Sequence, residues 1–527
     1  MQSDIYAQLH KSMAELQLLC KELSAKYPNI RAFNKELITD PDVAILLESF
    51  ALLNAKLQND IQQSQEQLPN ILINMLHPEI LAFMPPASVI CIDAHNPCTV
   101  SHNTEVLMMT NNTEHTFHVI GNHLICNAVI DSITLMTTRH MMFANPTQQA
   151  IHLNITPAHD LKQFSLYISA DNAQQMMSYI FRAKSQQDIY MLQDNRIVCI
   201  GYIKMLDIEP IYTSECSSPY YNLYNYAVMP MIYNFVDIVL HEPLVAKKQH
   251  TILIPVNSND HMSLDVSKMH LNCVPIVNLY RKTSDPINIA IPQQSYKLTA
   301  GHTNIHSVQS ISIYDPHTNV SDEYMRNSHV YFISTYLDNV RIFLSKIYIN
   351  WAQLTNKMMH ASVMCSDDIS MQTPDRITVR NLNARNTVVV RPNKPRYLHN
   401  LNNLDHWLIQ ALMHEKIHAL NDADLLQKIR LISRIYNMPV DDVFIDIKIY
   451  NSHCLNRHKN NNYRSSWVAL TPKRIIEITI NNYNAYFIHC LIWSRTLINL
   501  AALDDVIVVR FIDSDGEVLL THEEDHM

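Results

Sequence analysis

LNCVPIVNLYRKTSDPI, residues 271–287, sets a short apolar run between two asparagines. Leu271, Pro275 and Leu279 read as core determinants rather than contact residues. Asn272 and Asn278 read as side chains that satisfy backbone groups at turns, a role asparagine fits well. The same texture extends in both directions. From about residue 89, short β-branched runs alternate with Asn- and Pro-bearing turns: ASVICIDA, HTFHVIG, FSLYIS, TILIPV, VYFIST and ITVRNL. Such runs predict strands. One helical interlude, DNAQQMMSYIFRA at 171–183, breaks the series. The β-rich middle is expected as two units, 89–320 and 321–400, the second ending in a linker at RPNKP, 391–395.

The flanks differ. Ile5, Leu9, Met13, Leu16, Cys20 and Leu23 recur at three or four, one helical stripe that ends at Tyr27-Pro28. A second helix starts at Asp40-Pro41, where Asp can cap and Pro fits the first turn. Its stripe runs through Val43, Leu46, Leu47, Phe50, Leu53, Leu57 and Ile61. A third covers LPNILINMLHPEI and stops before Pro85-Pro86. Residues 1–88 therefore read as a helical assembly segment: the first helix is expected to bundle with another chain, because a terminal amphipathic helix has few neighbours to pack on, with a plain intramolecular core as the alternative. At the other end, 401–527 reads as an α/β domain: helices over 404–420 and 422–437, a strand RIIEITI, a buried helix at 485–503, and a hairpin turning at Asp515-Gly516. The fold class is α+β multidomain.

Composition narrows the chemistry. The 527 residues carry a net charge of −9 and no basic run, so a nucleic-acid face is not expected. Four glycines exclude a Walker loop, a Rossmann G-x-G-x-x-G and a G-x-S-x-G elbow, and leave tight turns to Asn and Asp. Ten cysteines without a C-x-x-C pair, and an amphipathic rather than signal-like start, point to a reducing cytoplasm with no direct membrane insertion.

One pentapeptide resists that picture. HEKIH, 414–418, has the form of a zinc peptidase signature: His414 and His418 as ligands four apart on a helix, Glu415 as general base. Asp424 stands where some related enzymes have a third ligand, but Asn421 stands where that pattern needs glycine. A His and a Glu on the apolar side of a helix are more often satisfied by hydrogen bonds, so coincidence is the preferred reading and a zinc metallopeptidase the alternative. His95, Cys98 and His102, like His453, Cys454 and His458, have ligand types at loose spacing and read as polar turns. No cofactor is expected.

Several pieces together resemble the TssF family, baseplate subunits of type VI secretion systems. LNCVPIVNLYRKTSDPI is similar to a family signature through Leu271, Asn272, Cys273, Pro275, Val277, Asn278, Leu279 and Pro286. The N-terminal part matches through Asp40, Pro41, Phe50, Pro78 and Pro85, and NLYNYAVMPMIYNF through Leu223, Tyr226, Pro230 and Phe235. Asn225 and the scarcity of glycine mark a divergent member. The resemblance implies a non-enzymatic role. Two TssF-like copies would join a TssG-like subunit in a wedge, with six wedges around a VgrG spike, TssK-like adaptor trimers and a TssE-like sheath contact. The assembly would dock at the inner face of the bacterial cytoplasmic membrane.

Overall fold

The computed structural model describes residues 10–15, 18–19, 22, 26, 45, 48–58, 83–137, 149–169, 173–181, 186–193, 196–206, 211, 220–256, 268–290, 295–325, 331–336, 339–344, 354–368, 374, 376–382, 384–390, 392, 396–397, 421–436, 438, 443–459, 466–501 and 506–523. The chain divides into two units, Met1–Met75 and Leu76–Met527. Every described residue of the first unit is helical.

In the second unit, residues 269–283 thread three sheets in fifteen residues. Met269–Leu271 is the edge strand of an eight-stranded antiparallel sheet. Cys273–Val277 lies inside a six-stranded sheet, in the order Arg376–Val379, Glu105–Thr110, Thr113–Val119, Cys273–Val277, Ala87–Asp93, Arg385–Val390. Tyr280–Thr283 then edges a five-stranded sheet with Lys357–Ser366, Asn304–Asp315 and Val320–Met325. Burial follows the sequence pattern. EVLMMT alternates between buried and half-buried, as a one-sided strand does, whereas ASVICID and CVPIV are buried almost throughout and have both faces covered.

Pro275 sits in that interior strand, where a missing N–H normally leaves an acceptor unpaired. Bonds from Ile92 N–H to Asn272 C=O and from Asn278 N–H to Pro86 C=O put the even-numbered residues on the side of Ala87–Asp93. Pro275 therefore faces the Thr113–Val119 side, where its C=O accepts from Ile120 N–H at 3.0 Å. The return bond, into Ile120 C=O, comes instead from the buried His123 Nε2 at 2.7 Å. A side chain supplies the donor that proline lacks.

Turns are made with asparagine. Nine described non-glycine residues have positive φ, and eight of them are Asn, so the αL positions that glycine usually fills pass to the side chain that tolerates them best. Asn111-Asn112 (φ 50° and 62°) close the hairpin between Glu105–Thr110 and Thr113–Val119. Glycine is retained where space demands it: a Cβ at Gly201 would lie 2.1 Å from Val239 O in the neighbouring strand.

Three boundaries differ from expectation. Strand begins at Phe83–Met84, inside the segment expected to be helical to 88. The 320/321 boundary cuts through shared sheets, since Lys357–Ser366 pairs with Asn304–Asp315, Arg376–Val379 with Glu105–Thr110, and Arg385–Val390 with Ala87–Asp93. Beyond the expected linker, Arg396–Tyr397 pairs back onto Phe83–Met84. Long-range pairing leaves no local mark, which is why turn composition alone suggested a division. The middle also holds more helix than the single interlude: besides α1 (Ala173–Phe181) there is α2 (Tyr221–Val228), running into a 3-10 turn at Pro230–Asn234.

The C-terminal part is mixed. In α3 (Asp422–Ile435) Asn421 Oδ1 accepts from Asp424 N–H at 2.8 Å, acids fill the first turn and Arg434 the last. Phe444–Lys459, Ser466–Ile480, Val506–Ile512 and Val518–Glu523 form a four-stranded sheet. Its one parallel pair, 466–480 with 506–512, is bridged by α4 (Tyr483–Ala501). Gly516 (φ 83°) turns the last hairpin. α4 packs on α1 and α2, with Ser178 Oγ donating to Asn484 Oδ1 at 3.3 Å. The helix is kinked at Tyr486 (φ −121°, ψ 18°), and beyond the kink Ser494 and Thr496 donate back to Leu491 and Ile492 C=O.

Candidate functional site: asparagine junctions and an exposed helix face

The two asparagines of the opening stretch stand where the chain changes sheet. Asn272, with φ 56°, joins the eight- and six-stranded sheets. Its amide pairs with the backbone of Cys126 in both directions: Oδ1 accepts from Cys126 N–H at 2.9 Å and Nδ2 donates to Cys126 C=O at 2.7 Å. Cys126 lies just before Ala128–Thr137, another strand of the eight-stranded sheet. One side chain thus fastens two crossings to each other.

Asn278 is fully buried and joins the six- and five-stranded sheets. Nδ2 donates to Thr116 C=O at 2.8 Å and to Asp367 Oδ2 at 3.2 Å. Oδ1 accepts from Asp367 N–H at 2.6 Å and from Ser366 Oγ at 2.9 Å. Asp367 in turn accepts from Tyr280 O–H at 2.6 Å, and His115 Nδ1 lies 3.2 Å from its Oδ2. Burial, and then the hydrogen bond to this carboxylate, raise the Tyr280 phenol above its ordinary pKa, so it stays a donor. Asp367, Ser366 and His115 are the residues that sequence reading missed. Asp367 lies 89 positions from Asn278 with no motif around it, so nothing local could have signalled it.

A third contact binds helix to helix. Tyr226 of α2 lies 3.2 Å from His489 Nε2 of α4 and takes a bond from Gln174 of α1. Burial pushes the His489 imidazole down to about 4, which keeps it neutral.

The first unit offers a different surface. Ser12, Ala51 and Ala55 are fully buried, and Asn54 Nδ2 donates to Ser12 Oγ at 3.4 Å, drawing 10–15 and 48–58 together through small residues. The large apolar side chains are left outside: Leu18 59% exposed, Ile45 61%, Phe50 58%, Leu53 64% and Leu57 59%. At 100° per residue Phe50, Leu53 and Leu57 lie on the side away from Ala51 and Ala55.

Other candidate positions are placed as follows. Met13 is half-buried, Pro85, Leu271, Pro275 and Leu279 are buried, Pro230 opens the 3-10 turn and Pro286 is exposed. Ile5, Leu9, Leu16, Leu23, Asp40, Pro41, Pro78 and the His414, Glu415, His418 set lie outside the described residues. Asp424, weighed as a third ligand, is exposed in the first turn of α3 behind its Asn421 cap. His102 Nδ1 accepts from Gly121 N–H, and Asn127 donates to His95 C=O. Among the described residues, no three His, Cys, Asp or Glu come together to hold a metal. No described helix is long and apolar enough to cross a membrane.

These features define an α+β protein, mostly strand, whose conspicuous polar sites join one part of the chain to another. The chain belongs to the TssF family of the type VI secretion system, whose family model matches residues 1–332. Its fold is similar to that of one chain of the type VI secretion system TssK-TssF-TssG baseplate subcomplex solved by cryo-electron microscopy. That match has a TM-score of 0.69 at 18% identity and covers 92% of this chain and 99% of that one. The N-terminal domain of the Streptococcus gordonii adhesin Sgo0707 aligns with 60% of this chain and 96% of its own, at 8% identity and a TM-score of 0.11, which is no likeness of fold. No curated protein matches.

Proposed function

We propose that this chain is a structural subunit of a type VI secretion baseplate wedge, acting by assembly. Family membership, and a fold alignment that takes in 99% of a chain from a TssK-TssF-TssG subcomplex, support the role and point to TssG-like and TssK-like partners. A second copy of the chain, a TssE-like subunit and a VgrG spike complete the expected set, in the cytoplasm at the inner face of the membrane.

The observation that carries the reading is the outward apolar face of the first unit. Burying a Leu or Phe side chain that stands more than half exposed stabilises by about 1 kcal/mol or more. Several such residues on one helix side suit a partner helix better than water. The paired asparagine junctions fit the same role, because a load-transmitting scaffold needs its sheets to move together.

The test is native mass spectrometry of the tagged chain co-expressed with its wedge partner. Phe50→Asp with Leu53→Asp is expected to remove partner-bound species while leaving the melting of the free chain unchanged. An intact complex would show that this face is not the assembly surface. The same spectra read the zinc alternative directly, as a mass increment on the free chain.

A further inference from the structure

Cys91 and Cys273 stand directly opposite each other on the neighbouring strands Ala87–Asp93 and Cys273–Val277. Their position in the ladder is specific. Ile92 N–H bonds to Asn272 C=O at 3.0 Å, so 92 and 272 form a hydrogen-bonded pair, and the next pair, 91 with 273, is a non-hydrogen-bonded one. Such pairs bring Cα atoms to about 4.5 Å and side chains closest together, within the range a disulfide needs. Both side chains leave the sheet on the same face, opposite the one that carries Ile90, Ile92, Val274 and Ile276 into the core. Cys273 is buried and Cys91 half-exposed.

We propose that Cys91 and Cys273 are an oxidative modification site, a dithiol that peroxide converts reversibly into a cross-strand disulfide. The half-exposed Cys91 meets the oxidant. Its thiolate attacks one oxygen of hydrogen peroxide; the S–O bond forms, the O–O bond breaks, and hydroxide leaves to be protonated to water. Cys273 Sγ then attacks the Cys91 sulfur; the S–S bond forms and the S–O bond breaks. Its own proton goes with the departing hydroxide as a second water. Two thiols lose two electrons and the peroxide gains them. The division of roles follows exposure: Cys91 is half-exposed, its S–H donating to Leu271 C=O at 3.3 Å, while Cys273 is buried. Cys126 is not the resolving thiol, because it is Cys273 that faces Cys91 across the ladder, while Cys126 is held by Asn272 Oδ1 through both its N–H and its S–H. Closed, the bond ties the two strands together one residue from the Asn272 crossing.

The experiment uses the full chain with the exposed Cys199 replaced, Cys199→Ser, to avoid links between molecules. It is treated with hydrogen peroxide, alkylated, and digested without reductant. The expected result is a linked peptide pair holding Cys91 and Cys273, about 2 Da lighter than the sum of the two. It should disappear on adding dithiothreitol and be absent from Cys91→Ala. Recovery of both thiols alkylated, of Cys91 as sulfinic acid, or of Cys91 linked to Cys126 would each overturn the proposal.

Discussion

Replacing Asn278 by alanine should loosen the joint between the six- and five-stranded sheets more than any exposed substitution nearby. The side chain makes four hydrogen bonds while fully buried. Three of them, to Thr116 C=O, Ser366 Oγ and Asp367 N–H, are between neutral groups and contribute about 1 kcal/mol each. The fourth, to the Asp367 carboxylate, would contribute roughly 2 kcal/mol, less for its 3.2 Å length. Asp367 keeps Tyr280 and His115, so its charge is not stranded. The loss comes to about 4 kcal/mol, a large part of the 5–15 kcal/mol that typically holds a native protein together. Amide hydrogen exchange of 87–93 and 273–277 reads it where those amides open only with the joint: protection should fall about a thousandfold. Asn278→Asp keeps the shape but turns a carboxylate toward Asp367. It should do at least as much harm at pH 7, with protection returning as the pH falls into the carboxylate range. A change below about tenfold in Asn278→Ala would refute the view that this side chain joins the sheets.

Gly201→Ala should distort the eight-stranded sheet, because the added Cβ would meet Val239 O at 2.1 Å; circular dichroism melts should show a loss of several degrees or no cooperative transition. Acid should weaken the packing of α4. The His489 pKa falls from its ordinary 6.5 to about 4 on burial, so below 6.5 the unfolded chain takes up a proton that the folded chain refuses. Stability is then undiminished above pH 6.5 and declines as pH falls toward 4, by about 2 kcal/mol at pH 5. His118, His152 and His270, also lowered first by burial, act in the same direction. His489→Phe should flatten the decline in urea titrations repeated across that range, and an unchanged slope would mean His489 is protonated where it sits.

Much of the fold could be read from periodicity. The strands at 87–93, 113–119, 250–256 and 331–336, the helices at 173–181 and 422–435, the buried α4 and the Gly516 hairpin all occupy runs whose spacing announces them. α2 is not announced by its residues: YNLYNYAV mixes strand-favouring Tyr and Val with Asn and Ala, and its packing on α4 fixes it as helix. Sheet membership was not legible. Nothing in VICID says that its neighbours are Cys273–Val277 and Arg385–Val390. The asparagine motif marks a place in the chain, whereas Asp367 and His115 reach it only through the folded topology. The exposed helix face shows the same limit: the periodic stripe includes Phe50, Leu53 and Leu57, yet only the structure puts the small residues inside.

The interleaving of the six-stranded sheet also bears on how the protein is made. Within it only the hairpin of 105–110 and 113–119 is local; Ala87–Asp93 must wait for Cys273–Val277 on one side and Arg385–Val390 on the other. A ribosome adding about 5–20 residues per second therefore holds this apolar strand without either neighbour for many seconds. During that interval its unpaired edges are open to chaperones or to another nascent chain. The strands of the eight-stranded sheet all lie between Ala87–Asp93 and Cys273–Val277 in the chain, so that sheet can close first, giving the waiting strand a formed surface beside which to complete its own sheet.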